Sequence, residues 1–82
     1  MKKWFVYILE CSDGTLYTGI TNDMEKRFDA HNAGKGAKYT RGRTPVELIF
    51  FTIRENRSEA AKFEYEIKSW SKAKKLKYIF NR

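Results

Sequence analysis

Trp4-Phe5-Val6-Tyr7-Ile8-Leu9 is an unbroken apolar run closed by Lys3 on one side and Glu10 on the other. Six residues of this kind, rich in β-branched and aromatic types, are too few for a buried helix and far too few to span a bilayer. They fit a strand covered on both faces, which in a small sheet is the central one. The lysines in front give the opening the look of a secretory leader, but its apolar stretch is too short for export. The expectation is a cytoplasmic protein with no membrane association.

The rest of the chain has to be arranged around that strand within 82 residues, room for one domain and one modest core. Ser12-Asp13-Gly14-Thr15 signals a turn, and Leu16-Tyr17-Thr18-Gly19-Ile20 supplies the partner strand of a hairpin. Thr21 or Asn22 can cap a helix reaching about Asn32, with Met24 and Phe28 inward and Gly34 and Gly36 ending it. Residues 37–44 form a basic connector closed by Pro45, and residues 46–53 read as a third strand, again apolar enough to be covered on both faces. Ser58 is placed to cap a helix that turns Ala60, Phe63, Ile67 and Trp70 inward. Ser71 opens a last helix with Ala73, Leu76 and Phe80 inward and Lys72, Lys74, Lys75 and Lys77 outward. The predicted class is α+β: a small three-stranded antiparallel sheet flanked by helices, in the order β-β-α-β-α-α, as one domain over residues 1–82.

Charge gives the partner a direction. Seventeen Lys and Arg against ten Asp and Glu leave a net +7, and two Trp, five Tyr and six Phe accompany them. A basic, aromatic-rich domain suits a polyanion, although many small basic proteins bind none. The basic residues crowd in the connector, where Lys35, Lys38, Arg41 and Arg43 surround Tyr39 and Gly42. Cys11 is the only cysteine, so an intrachain disulfide and a cysteine zinc cluster are both ruled out, which fits a reducing compartment.

Val6-Tyr7-Ile8 and Tyr17-Thr18-Gly19 put one tyrosine on each strand of the hairpin, and here the sequence resembles the GIY-YIG nuclease superfamily. The likeness runs from about Trp4 to Trp70. It is most specific in Tyr17-Thr18-Gly19-Ile20-Thr21-Asn22 and Lys38-Tyr39-Thr40-Arg41-Gly42-Arg43, which look like the small stand-alone bacterial proteins of that superfamily. The chain departs from the pattern in opening its first motif with Val6 instead of glycine and in carrying Thr18 at the central position of the second. Some members also carry an asparagine after the metal glutamate; here the next one is Asn81, and that role is not carried over.

The resemblance implies an endonuclease that hydrolyses phosphodiester bonds in DNA, with Tyr7, Tyr17, Arg27, His31 and Glu64 as catalytic residues. Tyr7 would be the general base, with His31 drawing on its phenol proton. Arg27 would clamp the non-bridging oxygens, Tyr17 would hydrogen-bond the phosphate, and Glu64 would ligate one divalent metal ion, Mg or Mn. The residues agree physically. Arg27 and His31, four apart on one helix, share a face, and a lone carboxylate suits a magnesium ion that keeps most of its waters. Free tyrosine has a pKa of about 10, so a phenolate needs positive neighbours, here Arg27, the metal and the connector.

Lys38, Tyr39, Arg41 and Arg43 are the expected nucleic-acid contacts, with DNA preferred over RNA and with branched, nicked or single-stranded structures, of the kind DNA repair acts on, as candidate substrates. A monomer is assumed. Two other readings stay open: a non-catalytic or partner-dependent nucleic-acid-binding module, and an RNA-associated protein using Tyr39 as a stacking platform.

If both tyrosines serve one site, the hairpin register is constrained, because a one-residue slip sends a side chain to the other face. A two-residue Asp13-Gly14 turn would set Tyr7 and Tyr17 on opposite faces. A three-residue loop Ser12-Asp13-Gly14 with a left-handed Gly14 pairs Leu9 with Tyr17 and Tyr7 with Gly19, making the phenols same-face neighbours. This loop is the expectation, with open space over the Tyr7 ring at Gly19.

Overall fold

The computed structural model describes residues 3–81; Met1 and Lys2 of the leader-like opening lie outside the described residues. The elements are β1 (Trp4–Glu10), β2 (Leu16–Thr21), α1 (Met24–Asn32), a 3-10 turn (Lys38–Thr40), β3 (Glu47–Arg54), α2 (Arg57–Lys68) and α3 (Lys72–Phe80). The strands form one antiparallel sheet in the order β2-β1-β3, so the fold is α+β with β1 in the centre.

β1 is central because it can afford no wet face: Val6, Tyr7, Ile8 and Leu9 are all fully buried. Val6 and Ile8 join Phe50, Ala60, Ile67 and Ile79 under α2 and α3. Tyr7 and Leu9 join Cys11 and Val46 on the opposite face, where Met24 and Phe28 of α1 pack against them. Phe63 and Trp70 reach the first cluster as the helical spacing requires. The β1–β2 loop has three residues. Cys11 N–H donates to Thr15 O at 2.8 Å, and Gly14 takes φ +84°. Leu9 therefore opposes Tyr17 and Tyr7 opposes Gly19, which brings the two tyrosines to one face.

Several sequence expectations are corrected. β3 has a wet face: Phe51 and Ile53 are each 50 % exposed. They stand on the face that α1 covers, but a helix about 10 Å across spans about two strands spaced roughly 4.8 Å apart, and α1 sits toward β2. An extra residue at Ile49, where the β1–β3 register shifts, also turns consecutive Ile49 and Phe50 toward the α2/α3 core. Asp23 caps α1 instead of Thr21 or Asn22, accepting from Lys26 N–H, and Asn56 caps α2 instead of Ser58, accepting from Glu59 N–H at 2.9 Å. Ser71 caps α3 as expected. In α3 the inward stripe is Leu76 and Ile79 with Lys75 half-buried, whereas Ala73 is exposed and Phe80 is 68 % exposed. The stripe is rotated because Tyr78 seats its ring among Phe50, Phe63 and Trp70, which fixes the helix one residue round from the expected face.

Two substitutions separate the expected core from the observed one. Ile67→Ala should cost about 2–5 kcal/mol in urea unfolding. Phe80→Ala, at a position that periodicity alone turns inward, should change stability by no more than about 0.5 kcal/mol.

Candidate active site at the edge of the hairpin

β2 is an edge strand, and the candidate residues gather beside it from three elements: Tyr7 and Tyr17 from the hairpin, and Arg27 and His31 from α1. The centre of the group is buried. His31 has no solvent exposure, its Nε2 lies 2.9 Å from the Tyr7 hydroxyl, and its Nδ1 lies 2.7 Å from the Thr40 hydroxyl. Thr40 in turn donates to Ala37 O at 3.0 Å. A hydroxyl has one proton, so with that proton on the carbonyl, Thr40 accepts from Nδ1–H and Nε2 is left as the acceptor. The Tyr7 phenol then donates to His31.

Burial, with the Arg27 charge a second cause, pushes His31 down to about 4 from 6.5, so it is neutral at pH 7. Tyr7 is raised above the ordinary phenol value. Burial is the largest cause, the side-chain hydrogen bond with Arg27 works against it, and the charges of Tyr17 and Glu64 reinforce it. The standing phenolate expected from positive neighbours is therefore not favoured: burial outweighs Arg27, and Tyr7 rests as a phenol. Arg27 sits against both phenols, with the Tyr7 hydrogen bond first among the causes that hold it charged. It also borders a groove with Thr21, Asn22, Lys26 and Ala30.

Two glycines are shaped to this cluster. A Cβ on Gly19 would come within 2.6 Å of the Tyr7 hydroxyl oxygen and 3.0 Å of Tyr17 Cε2. The space expected over the Tyr7 ring is thus filled by the phenol itself. A Cβ on Gly36 would overlap the His31 ring, 2.7 Å from Cγ. In the sequence Gly36 reads as a helix stop, and Thr40 as part of the connector and of the family-like stretch 38–43, with no role beside His31 indicated for either. The signal available was their position around the single histidine, but nothing local says that the connector folds back over α1. Asn32 makes that fold possible by accepting from Val46 N–H at 2.7 Å and donating to Val46 O at 3.2 Å.

The basic connector divides. Arg43 is committed internally: Nε donates to Asp13 at 3.0 Å, Nη1 donates to Tyr39 O at 2.7 Å, and the guanidinium carbon lies 4.3 Å from the Tyr39 ring centre. Tyr39 also meets Tyr17, with ring centres 5.8 Å apart, so its ring is engaged by the protein's own groups. Lys38 and Arg41 are exposed.

Glu64 approaches from the other side of the sheet on α2, with its side chain 21 % exposed and Oε2 3.2 Å from Lys68 Nζ. Among the described residues no three His, Cys, Asp or Glu side chains converge as a metal cage. One carboxylate does fit a hydrated Mg or Mn ion that takes its other oxygens from water and phosphate.

This hairpin, with its paired tyrosines and the α1 Arg27–His31 face, defines a GIY-YIG domain, and the family model of the GIY-YIG catalytic domain matches residues 3–77. The chain belongs to that family. Among curated proteins it is 53 % identical over 79 residues to the UPF0213 protein SSP2268 of Staphylococcus saprophyticus, covering 96 % of each chain. It is 51 % identical over 82 residues to a UPF0213 protein of Staphylococcus aureus, covering 100 % of each. Among solved structures it resembles the solution NMR structure of the UPF0213 protein BH0048 from Bacillus halodurans, with TM-score 0.61 and 47 % identity over 94 % of this chain and 82 % of that one. It also resembles that of the E. faecalis protein EF2693, with TM-score 0.66 and 41 % identity over 95 % and 83 %.

The buried neutral histidine predicts an acid-side stability slope. The unfolded chain takes up a proton at His31 near pH 6.5 and the folded chain only near 4, so stability is full above 6.5 and declines as pH falls toward 4. The loss should approach about 3 kcal/mol and be missing from His31→Gln, as read from urea unfolding at pH 7, 6, 5 and 4. Equal slopes for the two proteins would contradict a neutral His31.

Proposed function

We propose that this protein is a metal-dependent endonuclease that hydrolyses phosphodiester bonds, with DNA as the preferred substrate. The observation that carries the reading is the hydrogen-bonded line from Tyr7 through His31 to Thr40, which leaves a neutral imidazole nitrogen facing a phenol next to an arginine. A packing role alone does not need a base held in one tautomer.

In this reading Arg27 clamps the non-bridging oxygens of the phosphodiester from its groove, and Tyr17 donates a hydrogen bond to the same phosphate. A water attacks phosphorus. Its proton passes to the Tyr7 oxygen as the Tyr7 proton passes to His31 Nε2, and the leaving oxygen departs with its electron pair. A phosphate on Arg27 offsets one of the two causes that keep His31 acidic, so substrate binding makes the imidazole a better acceptor. Glu64 would hold a divalent ion, which when bound would supply charge neutralisation for the leaving oxygen. Lys38 and Arg41 track the backbone, and Arg43 contributes by keeping Tyr39 in place.

The complete burial of Tyr7 favours a second reading, a nucleic-acid-binding module whose turnover depends on a partner that opens the site. Labelled DNA and RNA panels, incubated with magnesium, manganese or chelator, separate the two. The nuclease reading expects cleavage in metal that chelator stops, lost in Glu64→Gln and reduced about 100-fold or more in Tyr7→Phe, with binding nearly intact in both. Cleavage by Glu64→Gln at the parent rate would sink the metal assignment; binding without cleavage under every condition supports the module.

The two parts of the connector should behave differently. Lys38→Ala with Arg41→Ala should weaken binding to all sequences alike and lower the salt slope by about 2. Arg43→Ala should leave that slope unchanged while lowering the melting temperature. A slope unaffected by the first pair would remove the connector from the backbone contacts.

A further inference from the structure

Thr18 bears the buried side-chain oxygen for which the described residues supply no hydrogen-bond partner. The residue is 3 % exposed. On β2 it alternates with Tyr17 and Gly19, whose atoms or space adjoin the Tyr7 phenol, so it faces the other way, toward the side that α2 covers. A valine would fill the same volume without a stranded hydroxyl, and a buried group of this kind is costly unless something comes to meet it.

Glu64 is the polar group that α2 brings to that side. Its side chain is mostly buried, yet only Oε2 is paired, and with Lys68, whose own side chain is 53 % exposed. α2 packs on β2 as well as on β1, and the charge of Glu64 is among the causes that raise Tyr7 on the far face of the sheet. An i,i+4 ion pair with an exposed lysine is weak and easily exchanged.

We propose that Glu64 has two orientations, the one seen here, paired with Lys68, and one in which the Thr18 hydroxyl donates to one carboxylate oxygen while the other faces a divalent cation. Thr18 is then a positioning residue: it fixes the carboxylate as outer hydrogen bonds fix metal ligands generally, and Lys68 is the cation that the metal displaces. The inference rests on the metal-dependent reading above.

Manganese titration of the isolated chain, followed by paramagnetic broadening of its NMR signals, tests this without any cleavage assay. Thr18→Val should weaken manganese binding about tenfold and raise the metal-free melting temperature, because the stranded hydroxyl is gone. Thr18→Ser should restore binding, and Lys68→Met should tighten it. Thr18→Ala gives the same reading as valine should the latter distort β2. If Thr18→Val and Thr18→Ala bind manganese as the parent does while Glu64→Gln does not, the role of Thr18 is overturned. Manganese binding that survives Glu64→Gln overturns the metal reading itself.

Discussion

The hydrogen bond between the Tyr7 hydroxyl and His31 Nε2 joins the central strand β1 to α1 on one face of the sheet. It exists because burial keeps the imidazole neutral and therefore able to accept, and it extends through Nδ1 to Thr40, so the connector is tied to the same ring. Three segments distant in sequence meet at one five-membered ring. Gly19 and Gly36 are bare because the phenol and the imidazole occupy the volume where their side chains would stand.

The sheet divides the chemistry between its faces. Arg27, His31 and both tyrosines lie on the α1 side, while Glu64 comes from α2 on the other. β2 is an edge strand on the side of the sheet away from β3, and its Gly19 leaves room for the Tyr7 phenol. The other half of the α1 side, with Phe51 and Ile53, is left uncovered by the same economy of one short helix over three strands.

Much of this was legible in the sequence, for identifiable reasons. The apolar run of β1, the apolar stripe of α2 and the stop at Gly34 are local patterns, and local patterns survive folding. The hairpin register was legible because requiring two phenols on one face leaves few loops to choose from. Phe51 and Phe80 were misread because apolar content says how much a segment can bury, not how much cover the fold has to offer. The caps shifted because Asp23 and Asn56 are one or two positions from equally competent residues, and tertiary entry angles decide among them. Thr40, Gly36 and the internal commitment of Arg43 were invisible. Each depends on the connector folding back over α1, a long-range event with no periodicity to announce it.

The paired titration of Tyr7 and His31 has a physiological side. One partner gains its proton only near pH 4 and the other loses its proton above 10, so the pair carries no net charge throughout the range a living cell experiences. Between those limits a change in the pH of the surroundings leaves the protons held by this pair unaltered.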